Sequence, residues 1–212
     1  MMQTIKNIYC IGRNYVEHVH ELGNIVPEEP VVFSKPTHAL VGANVEVVNL
    51  PKKRGEIHYE TELVLKMGED YYRGISLDEI VSKMTIGLDL TLRDEQTKLK
   101  KKAHPWLLSK GFPDSAVLGE FIPFPGERVC KETNFSLFIN DQRVQNGEID
   151  KMIFPLQFII EFIGENLGLK KGDIIFTGTP EGVGPLRQDD ILVMKWGESV
   201  MGQIRVNFQE DN

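Results

Sequence analysis

The chain has 212 residues, with 24 Lys+Arg against 31 Asp+Glu and a formal net charge of −7. That acidic surplus argues against a general nucleic-acid binder, which needs a basic surface to displace counterions. No run approaches the about 18 uninterrupted apolar residues of a membrane span, and the apolar run before Arg13 is too short for a signal peptide. A cytoplasmic protein with no membrane or nucleic-acid partner is therefore expected. At this size roughly 70% of the extended chain's surface is buried on folding, enough for a sizeable core without staples. Residues 1–212 are read as a single domain. Cys10 and Cys130 lie far apart with no CxxC, so buried reduced thiols are expected in place of a disulfide.

In chain order, residues 8–11 read as a strand, 15–22 as a short helix, and 31–34 and 45–49 as further strands. Lys52, Lys53, Arg54 and Gly55 mark a turn. Residues 58–67 alternate well enough to be one strand. Ser76-Leu77-Asp78-Glu79 is a capping box that opens a helix running to about residue 84. From 85 to 93 alternation is strict: Ile86, Leu88, Leu90 and Leu92 face one way, Gly87, Asp89, Thr91 and Arg93 the other. A charged helix or loop follows, with Lys98, Lys100, Lys101 and Lys102 expected to be mostly solvated. Asn140-Asp141 is a hairpin turn pair between two strands over 134–144. Residues 155–167 form an amphipathic helix with Pro at its start, and strands over 173–177, 191–195 and 203–208 close the chain. Strands outnumber helices without alternating regularly with them, which predicts a mixed α+β, β-rich fold and argues against a Rossmann layout.

Three constellations carry chemistry. In His58-Tyr59-Glu60-Thr61-Glu62 the two glutamates share one strand face, with Cα atoms ~6.6–6.8 Å apart. Side by side they repel unless a cation or proton lies between them. With Asp89 on a neighbouring strand they would form an all-oxygen ligand set suited to Mg²⁺ or Mn²⁺; two glutamates on a solvated face are the plainer alternative. His18 and Glu21 are neighbours on a helical turn, and a carboxylate that accepts the imidazole N–H prepares a general base. From the residues alone, His18, His20 and Glu21 on an exposed polar helix face are the plainer alternative. Lys110, among apolar neighbours, is either a snorkelling or catalytic lysine or an ordinary surface one. Residues 177–185, Thr-Gly-Thr-Pro-Glu-Gly-Val-Gly-Pro, form a rigid loop after an apolar strand, suited to an anion such as a carboxylate. They lack the P-loop pattern.

In order along the chain, IGRNYVEHVHELG, VVFSKP, HYETEL, GLDLTLRDEQ, PWLLSKGF, MIFP and GDIIFTGTPEGVGP resemble the catalytic domain of the fumarylacetoacetate hydrolase family, over about residues 9–184. The similarity is to its short acylpyruvate hydrolase and oxaloacetate decarboxylase-like members. It implies a β-roll of mixed sheets with a few peripheral helices, a homodimer, and a divalent metal (Mg²⁺ or Mn²⁺) on Glu60, Glu62 and Asp89. It also implies a catalytic His18–Glu21 pair on a mobile lid over residues 12–24, an active-site Lys110, and substrate contacts at Gln96, Thr179 and Gly178. Arg13 falls with the substrate-binding positions and Lys35 on a motif position, without an assigned contact. His20, Glu95 and the tail after Asp190 depart from the family pattern.

The implied reaction is hydrolysis of a C–C bond in an acylpyruvate-type 2,4-dioxo acid, with His18 activating water and Lys110, with Gln96, stabilising the oxyanion. Decarboxylation or tautomerisation of oxaloacetate, or a related isomerase or lyase reaction on a 2-oxo acid, is the alternative. A metal-stabilised binding protein without turnover is a third reading.

Overall fold

The computed structural model describes residues 5–44 and 46–210. The chain opens with β1 (Ile8–Gly12), α1 (Val16–Glu21), β2 (Val31–Lys35), β3 (Leu40–Gly42) and β4 (Val47–Pro51). The strand expected from 45 thus begins at Val47, and Val45 lies outside the described residues. The middle of the chain holds β5 (Ile57–Tyr59), β6 (Thr61–Met67), α2 (Leu77–Ile80), β7 (Val81–Asp89), β8 (Thr91–Leu92), α3 (Arg93–Lys101) and α4 (Leu107–Lys110). Then come β9 (Ala116–Leu118), β10 (Ile122–Pro123), α5 (Glu127–Glu132), β11 (Phe135–Ile139) and β12 (Gln142–Gly147). The last elements are α6 (Leu156–Asn166), β13 (Ile174–Phe176), β14 (Gly184–Pro185), β15 (Ile191–Trp196) and β16 (Ser199–Gln209). The fold is mixed α+β and rich in strands, as expected.

Two expected elements come out differently. The helix opened by Ser76 stops at Ile80 although Glu79 does reach back to the Ser76 N–H at 3.0 Å. Residues 81–84 instead enter β7, where they pair with both β6 and β10; two ladders outweigh one further helical turn. The single strand expected over 58–67 is divided at Glu60, and the one over 85–93 at Leu90. The two breaks are linked, because the Asp89 N–H donates to the Glu60 carbonyl at 2.8 Å.

The largest sheet runs β2-β1-β13-β6-β7-β9-β3, with β10 also on β7. Its centre is buried on both faces. Leu63, Leu65, Ile86 and Leu88 face a core shared with Leu156, Ile159, Ile160 and Ile163 of α6. Val64 and Phe176 face a second core with Ile8, Cys10 and Ala116. This explains the unbroken Leu63-Val64-Leu65 run, since a strand covered on both faces has no polar side. A second sheet runs β12-β11-β15-β16-β4, and a small one β14-β5-β8. Asn140 and Asp141 have φ of 49° and 66°, the primed turn that the hairpin requires. Cys10 and Cys130 are buried and free, as expected, and burial pushes the Cys130 thiol up to about 12.

Asn14 fastens the segment that leads into α1. Fully buried, it donates from Nδ2 to the carbonyls of Thr177 at 2.8 Å and Phe154 at 3.3 Å, and accepts the Phe154 N–H at 2.8 Å. Asn14→Ala strands buried backbone groups, each costing about 1–3 kcal/mol. Urea denaturation should show a loss of at least that size, with an unchanged m-value.

Candidate active site

The two strand breaks gather three carboxylates. Glu60 sits between β5 and β6, Glu62 on β6, and Asp89 at the end of β7. All three are buried, and one oxygen from each lies within 4.8 Å of the others. The expected trio is therefore assembled, although Glu60 stands in a break and not on a continuous strand face.

Three like charges in the interior demand compensation. Lys110, read from sequence as surface, snorkelling or catalytic, is buried: its Nζ donates to Glu60 Oε2 at 2.6 Å, Asp89 Oδ2 at 2.6 Å and Thr91 Oγ1 at 2.7 Å. Arg93, at the start of α3, donates from Nη2 to Glu60 Oε1 at 2.5 Å and from Nη1 to Gln96 Oε1 at 2.7 Å. Lys35 Nζ lies 2.7 Å from Asp89 Oδ1. It also donates to the carbonyls of Leu90, Ser115 and Lys110.

The compensation is uneven. Burial alone would raise the Glu60 carboxyl, but Lys110 and Arg93 hold it well below the usual carboxylate range. Among the described residues no cation pairs directly with Glu62, and Lys110 acts on it only from a distance. Burial, then repulsion from Asp89 and Glu60, pushes its carboxyl well up, against one hydrogen bond from the Gly178 N–H at 2.7 Å. A buried carboxylate trio with one member short of positive charge fits a hard divalent cation, which takes oxygen ligands.

Around this cluster lies a narrow cleft, lined among others by Arg13, His18, Gln96, Lys110, Thr179 and the three carboxylates. His18 is 5% exposed, and its Nδ1 meets Glu21 Oε2 at 3.3 Å. With Glu21 as the acceptor, the Nδ1–H tautomer leaves Nε2 as a lone pair. Thr179 Oγ1 accepts from Gln145 Nε2 at 2.9 Å, so its own hydrogen is free to donate elsewhere. Gln96 is buried, with its carbonyl oxygen taken by Arg93 and its NH₂ left for another acceptor. Gly178 stands beside the cleft with its amide engaged by Glu62. His20 is exposed and lines no part of the cleft.

Sequence reasoning gave Lys35 no contact and counted Arg93 only as part of a strand's polar face. A lysine inside the apolar run VVFSKP is a signal for the first, since an unpaired buried lysine is costly. Nothing local announces Arg93, because its partner Glu60 belongs to another strand.

Comparison with known proteins agrees with this architecture. The family description "Fumarylacetoacetate (FAA) hydrolase C-terminal" matches residues 7–207. The chain is 38% identical over 190 residues to the mitochondrial oxaloacetate tautomerase of Bos taurus, covering 87% of this chain and 84% of that one. To the oxaloacetate tautomerase of Escherichia coli (strain K12) it is 38% identical over 197 residues, with coverage of 90% and 88%. Among solved structures, the fumarylpyruvate hydrolase from Pseudomonas aeruginosa in complex with Mn²⁺ and pyruvate aligns with a TM-score of 0.83 at 29% identity, covering 97% of this chain and 91% of that one. No helix among the described residues is long and apolar enough to cross a membrane. The matched length, the mixed sheets and these relatives make the chain a member of the fumarylacetoacetate hydrolase family of enzymes.

Proposed function

We propose that this enzyme interconverts the enol and keto forms of a short 2-oxo dicarboxylic acid of the oxaloacetate type. The observation that carries this reading is the position of His18: buried, held by Glu21, and on the same cleft as the carboxylate trio. Glu60, Glu62 and Asp89 would hold Mg²⁺ or Mn²⁺, which when bound supplies Lewis-acid polarisation of the 2-oxo group. His18 Nε2 takes the proton from C3 in the keto-to-enol direction and passes it to solvent, which supplies the proton that the C2 oxygen gains, and both transfers run backwards in the reverse direction. Nothing is oxidised, and no water is consumed. Thr179 Oγ1 and the Gln96 NH₂ are the donors left free to hold the carboxylate next to the 2-oxo group.

A second reading, hydrolysis of an acylpyruvate, is favoured by the likeness to the fumarylpyruvate hydrolase. There His18 would take a proton from water, and a further donor must meet the oxyanion. Lys110 has all three N–H groups directed at Glu60, Asp89 and Thr91, so Gln96 would remain for that task. Enolisation asks for no such donor, which places it first. The names of the tautomerase relatives support the same order.

In this reading residues 12–24 act as a lid on a catalytic domain spanning 1–212, with a homodimer as the assembly. Glu21 is its latch, accepting from His18 and, through Oε1, from the Gly182 N–H at 3.0 Å. Burial would raise the Glu21 carboxyl, yet those hydrogen bonds hold it below the ordinary 4.5. A depressed folded value means that the latch contributes fully above that ordinary range and is lost as pH falls through the folded value.

Three outcomes are expected. His18→Ala lowers the tautomerisation rate by about 10²–10⁴, followed by ultraviolet absorbance of the enol; an unchanged rate overturns the role of His18. Faster turnover of acylpyruvates than of oxaloacetate would instead move the assignment to hydrolysis. Calorimetric titration with Mn²⁺ should show one site that Glu60→Ala/Glu62→Ala abolishes, and persistent binding refutes the ligand set. Hydrogen exchange of residues 16–22, corrected for intrinsic rates, should lose protection on acidification below about pH 4.5. That step should be absent in Glu21→Gln.

A further inference from the structure

The cleft holds two cations that the carboxylate cluster does not neutralise. Arg93, Lys35 and Lys110 each meet a carboxylate of the trio. Arg13 and Lys100, the latter half-buried where a solvated lysine was expected, line the same cleft, and neither is within ion-pair distance of a carboxylate among the described residues. Lys100 Nζ has one hydrogen bond, to Asn24 Oδ1 at 3.1 Å. Arg13 Nε is buried without a hydrogen-bond partner.

Both cations approach one ring. The Arg13 guanidinium carbon is 5.8 Å from the centroid of Trp106, and Lys100 Nζ is 6.0 Å from it. Burial, and then repulsion from Arg13 and Arg93, lowers the Lys100 pKa, so the two charges feel each other. Arg13 is also held at φ +60°, a region uncommon outside glycine and one that clusters at ligand clamps. A Cβ at the preceding Gly12 would come within 3.1 Å of the Trp106 ring, so glycine lets that ring pack against the backbone that presents Arg13. Two unneutralised cations, one with an idle buried donor, are arranged for an anion that this chain does not supply. The guanidinium fork matches a carboxylate in geometry, and the ammonium adds a point charge.

We propose that Arg13 and Lys100, with Trp106 beside them, form a subsite for the far carboxylate of the substrate and make the enzyme selective for dianionic over monoanionic 2-oxo acids. The proposal rests on the 2-oxo-acid reading above and adds the groups that choose the acid's other end. The near carboxylate goes to Thr179 and Gln96, and the far one to Arg13 and Lys100. Acids ending in a methyl or other neutral group leave both cations without a counterion.

Malate and lactate test this without turnover, since they share the 2-hydroxy acid end and differ in the far carboxylate. With Mg²⁺ present, tryptophan fluorescence titration of the wild-type enzyme should give malate at least tenfold tighter than lactate. Arg13→Gln and Lys100→Gln should each bring malate to within threefold of lactate and leave lactate unmoved, whereas Lys100→Arg keeps the preference. Lys100 lies on the half-buried surface of α3, so its variant remains informative should Arg13→Gln fail to fold. In steady state the loss with oxaloacetate should appear as a KM at least tenfold higher. Equal binding of malate and lactate by the wild type, or equal loss of both in the variants, overturns the subsite. A retained malate preference without any oxaloacetate tautomerisation supports the subsite while overturning the assigned reaction.

Discussion

Three carboxylates packed into a protein interior constrain everything around them. Glu60, Glu62 and Asp89 lie close enough to share one cation, and in a medium of low dielectric their mutual repulsion is far larger than in water. The fold answers with Lys35, Arg93 and Lys110. Charge is thereby balanced in number, though not in position, because Glu62 has the Gly178 amide as its neighbour in place of a cation. Replacing such a cluster with hydrophobic residues commonly stabilises a protein. Its presence at the junction of β5, β6 and β7 is better explained by function than by stability.

The cluster also accounts for the shape of the backbone nearby. A continuous strand through residue 60 would commit its N–H and C=O to one ladder. Breaking at Glu60 and Leu90 lets the Glu60 carbonyl take the Asp89 N–H and lets the Leu90 N–H turn to Ser115. The carbonyls of Leu90, Lys110 and Ser115 also surround Lys35. The lysine that balances Asp89 is thus solvated by main chain in place of water, which is how a buried ammonium is made tolerable.

Much of this was legible in the residues. The spacing of Glu60 and Glu62, the polar position of Asp89 among aliphatics, and the three-residue step from His18 to Glu21 mark these residues as candidates, while the resemblance to a family, not spacing alone, chooses among the readings. The hairpin at Asn140-Asp141 and the helix beginning near Pro155 follow from local rules alone. What escaped was non-local. The capping box at Ser76 was real, but the ladders on either side of β7 ended its helix after one turn. The burial of Lys110 could not be read from its neighbours Ser109 and Gly111, because the groups that hold it are 21 and 50 positions away. Lys35 and Arg93 are the same case: a charge's role is set by its partners, and partners are brought by topology.

That topology joins the ends of the chain. Asn7 meets Asp173 across 166 positions, beside the parallel pairing of β1 with β13. Asn49 meets Asn207 across 158, where β4 pairs with β16. Contacts this distant in sequence form slowly, because the loop must close before they contribute. On the ribosome, β1 and β6 emerge well before the strand that belongs between them, and Glu62 waits for the Gly178 amide. The acids and the three cations that balance them all lie earlier in the chain, on β6, β7 and the segments beside them. A chain halted before β13 would therefore carry the acids on adjacent strands without the Gly178 amide and the Thr179 hydroxyl that complete the cleft.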